Sequence, residues 1–331
     1  MAAHLSEKEN FYRTLRGETP EYVPYYRMME WMYMPSALRP PMGGGGFTNI
    51  YGVEFVSEAK ANNAALPKPG DFILDDIRKW RDVIKRPPIL DEIDWAKLAK
   101  KDMDERNPDL PKICVCNISF GYFQALMSFM GFTNGLIACL EEPDEVKELL
   151  NFLLEINLEV GRNILRYCQP EAYNMADDIA HERALFVSEE VFLDLFEPMW
   201  RAEITPFKEA GLLAEHHNCG KFEAFVPYIV DMGYSAWDPA QFSNDLTGIK
   251  AKYGRKLTIC TGVQSNGFCS WPETTEEEVR AEVRRVMDLY APGGGFCFAG
   301  GILGPVGDEE TAKRNEWIKD EYERNKFNYY G

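Results

Sequence analysis

The stretch Leu212–Gly220, LLAEHHNCG, carries an apolar run into a polar turn that holds His217 and Cys219 two positions apart. Cys297 follows in GGGFCFAGG, Gly293–Gly301, at the end of another short apolar run. One imidazole and two thiolates suit Zn²⁺, which takes nitrogen and sulfur donors tetrahedrally. Three protein ligands leave one position open, which is the mark of a catalytic zinc rather than a structural one. Strand alternation puts His217 and Cys219 on one face and His216 and Asn218 on the other. His216 is therefore assigned to a supporting role or a substrate contact, not to the metal.

Asp177 and Asp178 end another strand, and paired carboxylates there suit binding of a substrate hydroxyl or general acid catalysis. The competing reading is a helix cap with a solvated neighbour. Glu215 and Asp238 are further carboxylates able to fill the fourth metal position at rest. Tyr26, Met28 and Trp31, with Tyr33 and Met34, are candidates to line a pocket for a flat ligand, or else to cap a barrel mouth. His4 and His181 read as surface residues. Cys114 and Cys116 on the apolar run KICVCNI read as core, since CxC lacks the two-residue spacer of a redox pair.

The elements that must position these residues alternate regularly. Short apolar runs at 112–118, 172–175, 212–215, 236–237, 257–261 and 296–298 are expected strands, and Val23–Met29 is an expected first strand. Helical patterns separate them, most clearly Asp144–Tyr167 with its stripe of Val146, Leu149, Leu150, Leu153, Ile156 and Val160. The helix Thr274–Leu289 opens on TTEEE, a strong start signal. Parallel neighbours need a crossover, so repeated strand–helix units imply a parallel sheet. About eight units without a dinucleotide fingerprint predict an α/β fold, a (β/α)₈ TIM barrel, whose functional residues gather at the C-terminal strand ends. The chain reads as one domain over 1–331, with residues 1–50 as an N-terminal extension and lid that includes the glycines 43–46.

The 331 residues, 45% hydrophobic and 27% charged, suffice for one large core. The net charge of −17 argues against nucleic acid or an anionic membrane as partner. No run approaches the ~18 apolar residues of a membrane span, and the charged start is not a signal peptide. A cytoplasmic protein is expected, with its eight cysteines as thiols or metal ligands.

With these features the chain resembles the uroporphyrinogen decarboxylase superfamily over nearly its full length. Within it, the chain is similar to the zinc-dependent, corrinoid-linked methyltransferases, a branch that includes methylcobamide:coenzyme M methyltransferase. That branch carries His-x-Cys and a distant Cys as zinc ligands, matched here by His217, Cys219 and Cys297. The segments KENFYRTLRGETPEYVP, ADDIAHERALFVSEEVF and TGVQS with TTEEEVRAEVRRVM also carry the resemblance. The decarboxylases' Arg-rich N-terminal motif is replaced by YYRMMEWMYMP, where Arg27 is the one cation, so porphyrin decarboxylation is not expected. The resemblance implies a zinc-dependent methyltransferase working with a corrinoid (cobalamin) carried by a partner protein, because no Asp-x-His-x-x-Gly corrinoid motif occurs here. The aromatic and Met-rich N-terminal stretch points to a methoxylated aromatic small-molecule methyl donor, and thus to O-demethylation. The alternatives are a methylcorrinoid:thiol methyltransferase with the same zinc, and a metal-free decarboxylase or binding protein on the same barrel.

Overall fold

A computed structural model describes residues 4–40, 46–58, 64–265, 267–305 and 307–330, apart from the side chains of Met28, Met29, Glu58 and Ala64. Among the described residues, ten strands fall into two sheets. The main sheet is parallel and seven-stranded, in the order β1 (Met32–Tyr33), β5 (Ile113–Cys114), β6 (Ala172–Ala176), β7 (Leu213–His217), β8 (Ala236–Asp238), β9 (Thr258–Thr261) and β10 (Phe296–Phe298). The second sheet is an antiparallel meander of β2 (Phe47–Thr48), β3 (Glu54–Glu58) and β4 (Ala64–Pro67).

The main sheet curls until its edges approach. Just before β1, the chain bonds to the far edge, with Tyr26 N–H donating to Phe298 C=O and Phe298 N–H to Pro24 C=O, each at 2.8 Å. The expected first strand Val23–Met29 is thus reduced to one parallel bridge, Tyr25 with Phe298. A helical turn, Met28–Trp31, follows it before β1 begins. Seven named strands and this bridge replace the eight strands expected, because the chain turns helical where the eighth strand would extend.

Each crossover helix forms where its apolar positions recur at helical spacing. The helix Pro143–Tyr167 starts with proline in its first turn beside Asp144 and Glu145, and buries Val146, Leu149, Leu150, Leu153, Ile156 and Val160. The helix Glu276–Tyr290 is opened by a reciprocal capping box between Thr275 and Glu278. No single helix among the described residues is long and apolar enough to cross a membrane.

Alternation along the strands separates two layers. Cys114, Cys116, Tyr173, Met175, Ala214, Ile259 and Phe298 face the helices in the large outer core. Ile113, Ala172, Ala236, Cys260 and Cys297 form an inner core with Phe11, Tyr12, Leu15, Tyr26 and Trp31. The helix Glu7–Leu15 closes the N-terminal end of the sheet. Tyr12 O–H lies 3.0 Å from the Lys112 N–H that precedes β5, and Thr258 at the start of β9 donates to Thr14 C=O at 3.2 Å. The N-terminal extension is therefore a floor under the barrel. Of the expected lid, residues 41–45 lie outside the described residues.

Candidate metal centre

β7 ends later than its apolar run suggests, because the ladder to β6 continues through Met175–His216 and Ala176–His217. The extension fixes which face each histidine takes. His217 points inward, and the chain then turns so that Cys219 approaches it, Sγ to Nε2 at 3.8 Å. Asp178, two residues past the end of β6, completes the group with Oδ1 4.0 Å from His217 Nε2. One donor atom from each of Asp178, His217 and Cys219 lies within 4.8 Å of the others. This is the one such group of metal-binding side chains among the described residues.

The group is held from behind. His217 Nδ1 is 2.8 Å from Asp238 Oδ2 at the end of β8, which leaves Nε2 to face Cys219 and Asp178. An imidazole tied through one nitrogen to a carboxylate is the usual arrangement of a metal-ligating histidine. Burial disfavours the charged ring of His217, but the Asp238 charge and hydrogen bond, with Cys219 and Asp178, hold its pKa well above the ordinary value. Burial raises the Cys219 thiol, and His217 works against that rise. Asp178 also accepts the Cys219 N–H at 2.7 Å and the Gln124 amide at 3.3 Å, which fixes the loop after β6 against the loop after β7. Imidazole, thiol and carboxylate are donors that zinc accepts, and three of them would leave a fourth position of a tetrahedral ion open. The donor chemistry fits a divalent metal.

Several expected residues fall elsewhere. Cys297 is not in this group. It is fully buried in the inner core, register-paired with Cys260, whose thiol is pushed up by burial and then by Cys297. Strands in a closed sheet are tilted, so residues in one hydrogen-bonded row sit at different heights around the barrel. Counting residues along the sequence does not register that tilt. Asp177 is likewise not a mouth residue. Fully buried, it accepts N–H groups of Tyr122 at 3.0 Å, Phe123 at 3.1 Å and Gln124 at 3.2 Å, and the Trp200 indole N–H at 2.9 Å. It caps the helix Tyr122–Met130 from the neighbouring strand, and burial pushes its pKa up to about 7. Gly121 (φ +103°) makes the approach possible, since a Cβ there would collide with the Asp177 carboxylate.

His216 also lies apart from the group. It faces the helices, fully buried between Trp200, Phe222 and Tyr234, with ring centroids 4.5, 5.4 and 5.1 Å away. Burial pulls its pKa down to about 3, so it is a neutral ring packed among aromatic side chains. Tyr26 and Trp31 precede β1 and so lie low in a parallel barrel. Trp31 packs against Phe11 at 4.6 Å and Tyr26 at 5.6 Å. Tyr26 O–H donates to Glu215 at 2.9 Å inside the barrel. The Met28 side chain lies outside the described residues. The places of Asp178 beside His217 and Cys219 and of Asp238 behind His217 are those that sequence reasoning assigned least well. Their only sequence signal is a carboxylate at a strand end.

Comparison with known families and structures fits this geometry. The uroporphyrinogen decarboxylase (URO-D) family profile matches residues 51–304. Among solved structures, a methyltransferase from Methanosarcina mazei superposes with a TM-score of 0.62 at 14% identity, covering 97% of this chain and 100% of its own. That likeness concerns the fold. Comparison with curated protein sequences returned no match. The chain, matched over most of its length by that profile, belongs to the uroporphyrinogen decarboxylase family.

Proposed function

We propose that this protein is a metal-dependent methyltransferase that moves a methyl group from a methoxylated aromatic substrate to the Co(I) corrinoid of a separate partner protein. The observation that carries the reading is the Asp178–His217–Cys219 group at the strand ends, with His217 oriented by Asp238. The structural likeness to a protein described as a methyltransferase supports the class of reaction.

Zinc bound by Asp178, His217 Nε2 and Cys219 would supply Lewis acidity toward an ether oxygen at neutral pH. The chain's own residues do the remaining work. Asp238 holds His217 in the tautomer that presents Nε2. Asp178 ties the loops after β6 and β7 together, so the three donors keep their spacing. The single thiolate makes this a harder donor set than one with two, which favours an oxygen ligand over a thiol in the open position. Decarboxylation of a polycarboxylate is disfavoured. Arg27 lies against Glu7 at 3.2 Å and Glu30 at 3.5 Å, beside the floor helix rather than at the mouth.

The test has two arms. Elemental analysis is expected to find about one zinc per chain, lost in Cys219→Ser. The zinc-loaded protein should then transfer methyl from a methoxyarene to a Co(I) corrinoid protein. Methylation of a thiol from the methylated corrinoid protein, with no reaction of any methoxyarene, would replace this reading with the reverse one. Turnover retained by metal-free protein would eliminate both.

A further inference from the structure

Outside the apolar plug, the floor end of the barrel carries a cavity of about 360 Å³. It lies between the end of the helix Leu246–Tyr253 and the loop that enters β10. A cavity of this size, with apolar walls and a few polar groups, is the usual form of a small-molecule site. Ala251, Leu289, Tyr290 and Pro292 supply the apolar walls, and Lys250 and Arg255 supply the charge. Among the described residues no carboxylate lines it, although the chain carries 53 Asp and Glu against 36 Lys and Arg.

Glycine brings the two cations to this place. Gly293, Gly294 and Gly295 all have left-handed backbones, with φ of +84°, +79° and +65°. A Cβ on Gly295 would lie 2.5 Å from Gly254 C=O, so the loop needs glycine there to pack on the helix end. The turn presents two carbonyls to the helix. Lys250 Nζ donates to Gly294 C=O, and Arg255 Nε donates to Gly293 C=O at 2.7 Å. Those bonds tie down the loop, yet they use a single donor of the three on an ammonium and of the five on a guanidinium. No other hydrogen bond or ion pair engages either head group among the described residues.

A second floor cavity shows what is missing. There Lys8 pairs with Glu171, and Arg16 with Glu9 at 2.7 Å, so each cation that lines it has its counter-charge. Lys250 and Arg255 instead stand beside each other. Burial pulls the Lys250 ammonium down to about 8, and Arg255 adds to the fall. A half-buried ammonium is costly without a partner, and a like charge beside it costs more. An anion bound by both relieves both, and a guanidinium can take a carboxylate through two parallel bonds.

We propose that this cavity binds a small organic anion, a carboxylate on an apolar body, at the end of the barrel opposite the metal group. Nothing in this site depends on the methyltransferase reading. The experiment is calorimetric titration of hexanoate, hexanamide and inorganic phosphate into the 331-residue chain. Wild type should bind hexanoate about ten-fold more tightly than hexanamide, its neutral counterpart of like shape. It should also bind hexanoate more tightly than phosphate, which lacks the apolar body. Lys250→Gln and Arg255→Gln should each weaken hexanoate about ten-fold. Both residues also hold the loop, so Ala251→Glu gives a second route. It sets a carboxylate into the cavity from an exposed helix position and should abolish hexanoate binding. Cys219→Ser, which removes a metal donor at the mouth, should bind hexanoate as wild type does. Failure of hexanoate to bind, or equal affinity for the amide, overturns the proposal. So does phosphate that binds at least as tightly as hexanoate. Hexanoate binding that survives in Ala251→Glu or in both Gln variants, or is lost in Cys219→Ser, places the anion elsewhere and overturns it too. Loss of methyl transfer with hexanoate binding intact counts against the function and not against this site.

Discussion

The two ends of the barrel are built from the same alternating strands, yet their inward positions do different work. At the floor, Ile113, Ala172 and Ala236 meet Phe11, Tyr26 and Trp31 in an apolar plug. Toward the mouth, the inward positions of the same strands carry Asn174, Glu215, His217 and Asp238, linked by a chain of contacts at 2.8–3.5 Å. Packing at the floor is collective and tolerates no void. Chemistry at the mouth depends on a few directed contacts that contribute little to holding the fold. The two ends should therefore separate cleanly under mutation, with stability at one and metal at the other.

The largest expected effect tests the mouth. His217→Ala or Cys219→Ser should take zinc from about one per chain to near zero by elemental analysis, with a melting temperature close to that of the metal-stripped wild type. Unfolding of either variant would show that the mouth also supports the fold. Next comes the floor: Phe11→Ala removes a fully buried ring and should cost ~3–5 kcal/mol in denaturant titration. Zinc stoichiometry should stay unchanged there, and a loss of zinc from the folded variant would break the comparison.

Asp238→Ala sharpens the comparison on the mouth side. Freed from its 2.8 Å partner, His217 should bind metal roughly 10–100-fold more weakly in chelator competition. Affinity equal to wild type would remove the orienting role. The smallest effect is assigned to Cys297→Ser. It places a hydroxyl in a fully buried inner core at a cost of ~1–3 kcal/mol, while the zinc remains. Zinc lost from folded Cys297→Ser would restore the His217–Cys219–Cys297 ligand set and refute the separation of Cys297 from the metal group.

What could be read beforehand follows from the range of each physical cause. Strand period two is local, so the opposite sides taken by His216 and His217 were legible along the chain, whereas Cys219 lies past the end of β7 and is brought to His217 by the turn. The helix Pro143–Tyr167 was legible too, because its stripe and its starting signals lie within the helix itself. Asp177 and Asp178 show where legibility stops. They are adjacent carboxylates with the same local pattern, but alternation sends one into a helix N-terminus and the other to the metal group. Which of them goes where depends on where the helix Tyr122–Met130 docks.

By itself the sequence determined the alternation of strand and helix, the parallel sheet it requires, and a histidine and a cysteine presented together at a strand end. The tertiary structure alone decided the third member of the group and the height of each inward residue. Curling a parallel sheet staggers its strands, and that stagger put Cys297 beside Cys260 in the inner core and brought Asp178 to His217. Spacing along a chain is one-dimensional, whereas the coordination of a metal is fixed by where tilted strands end in space.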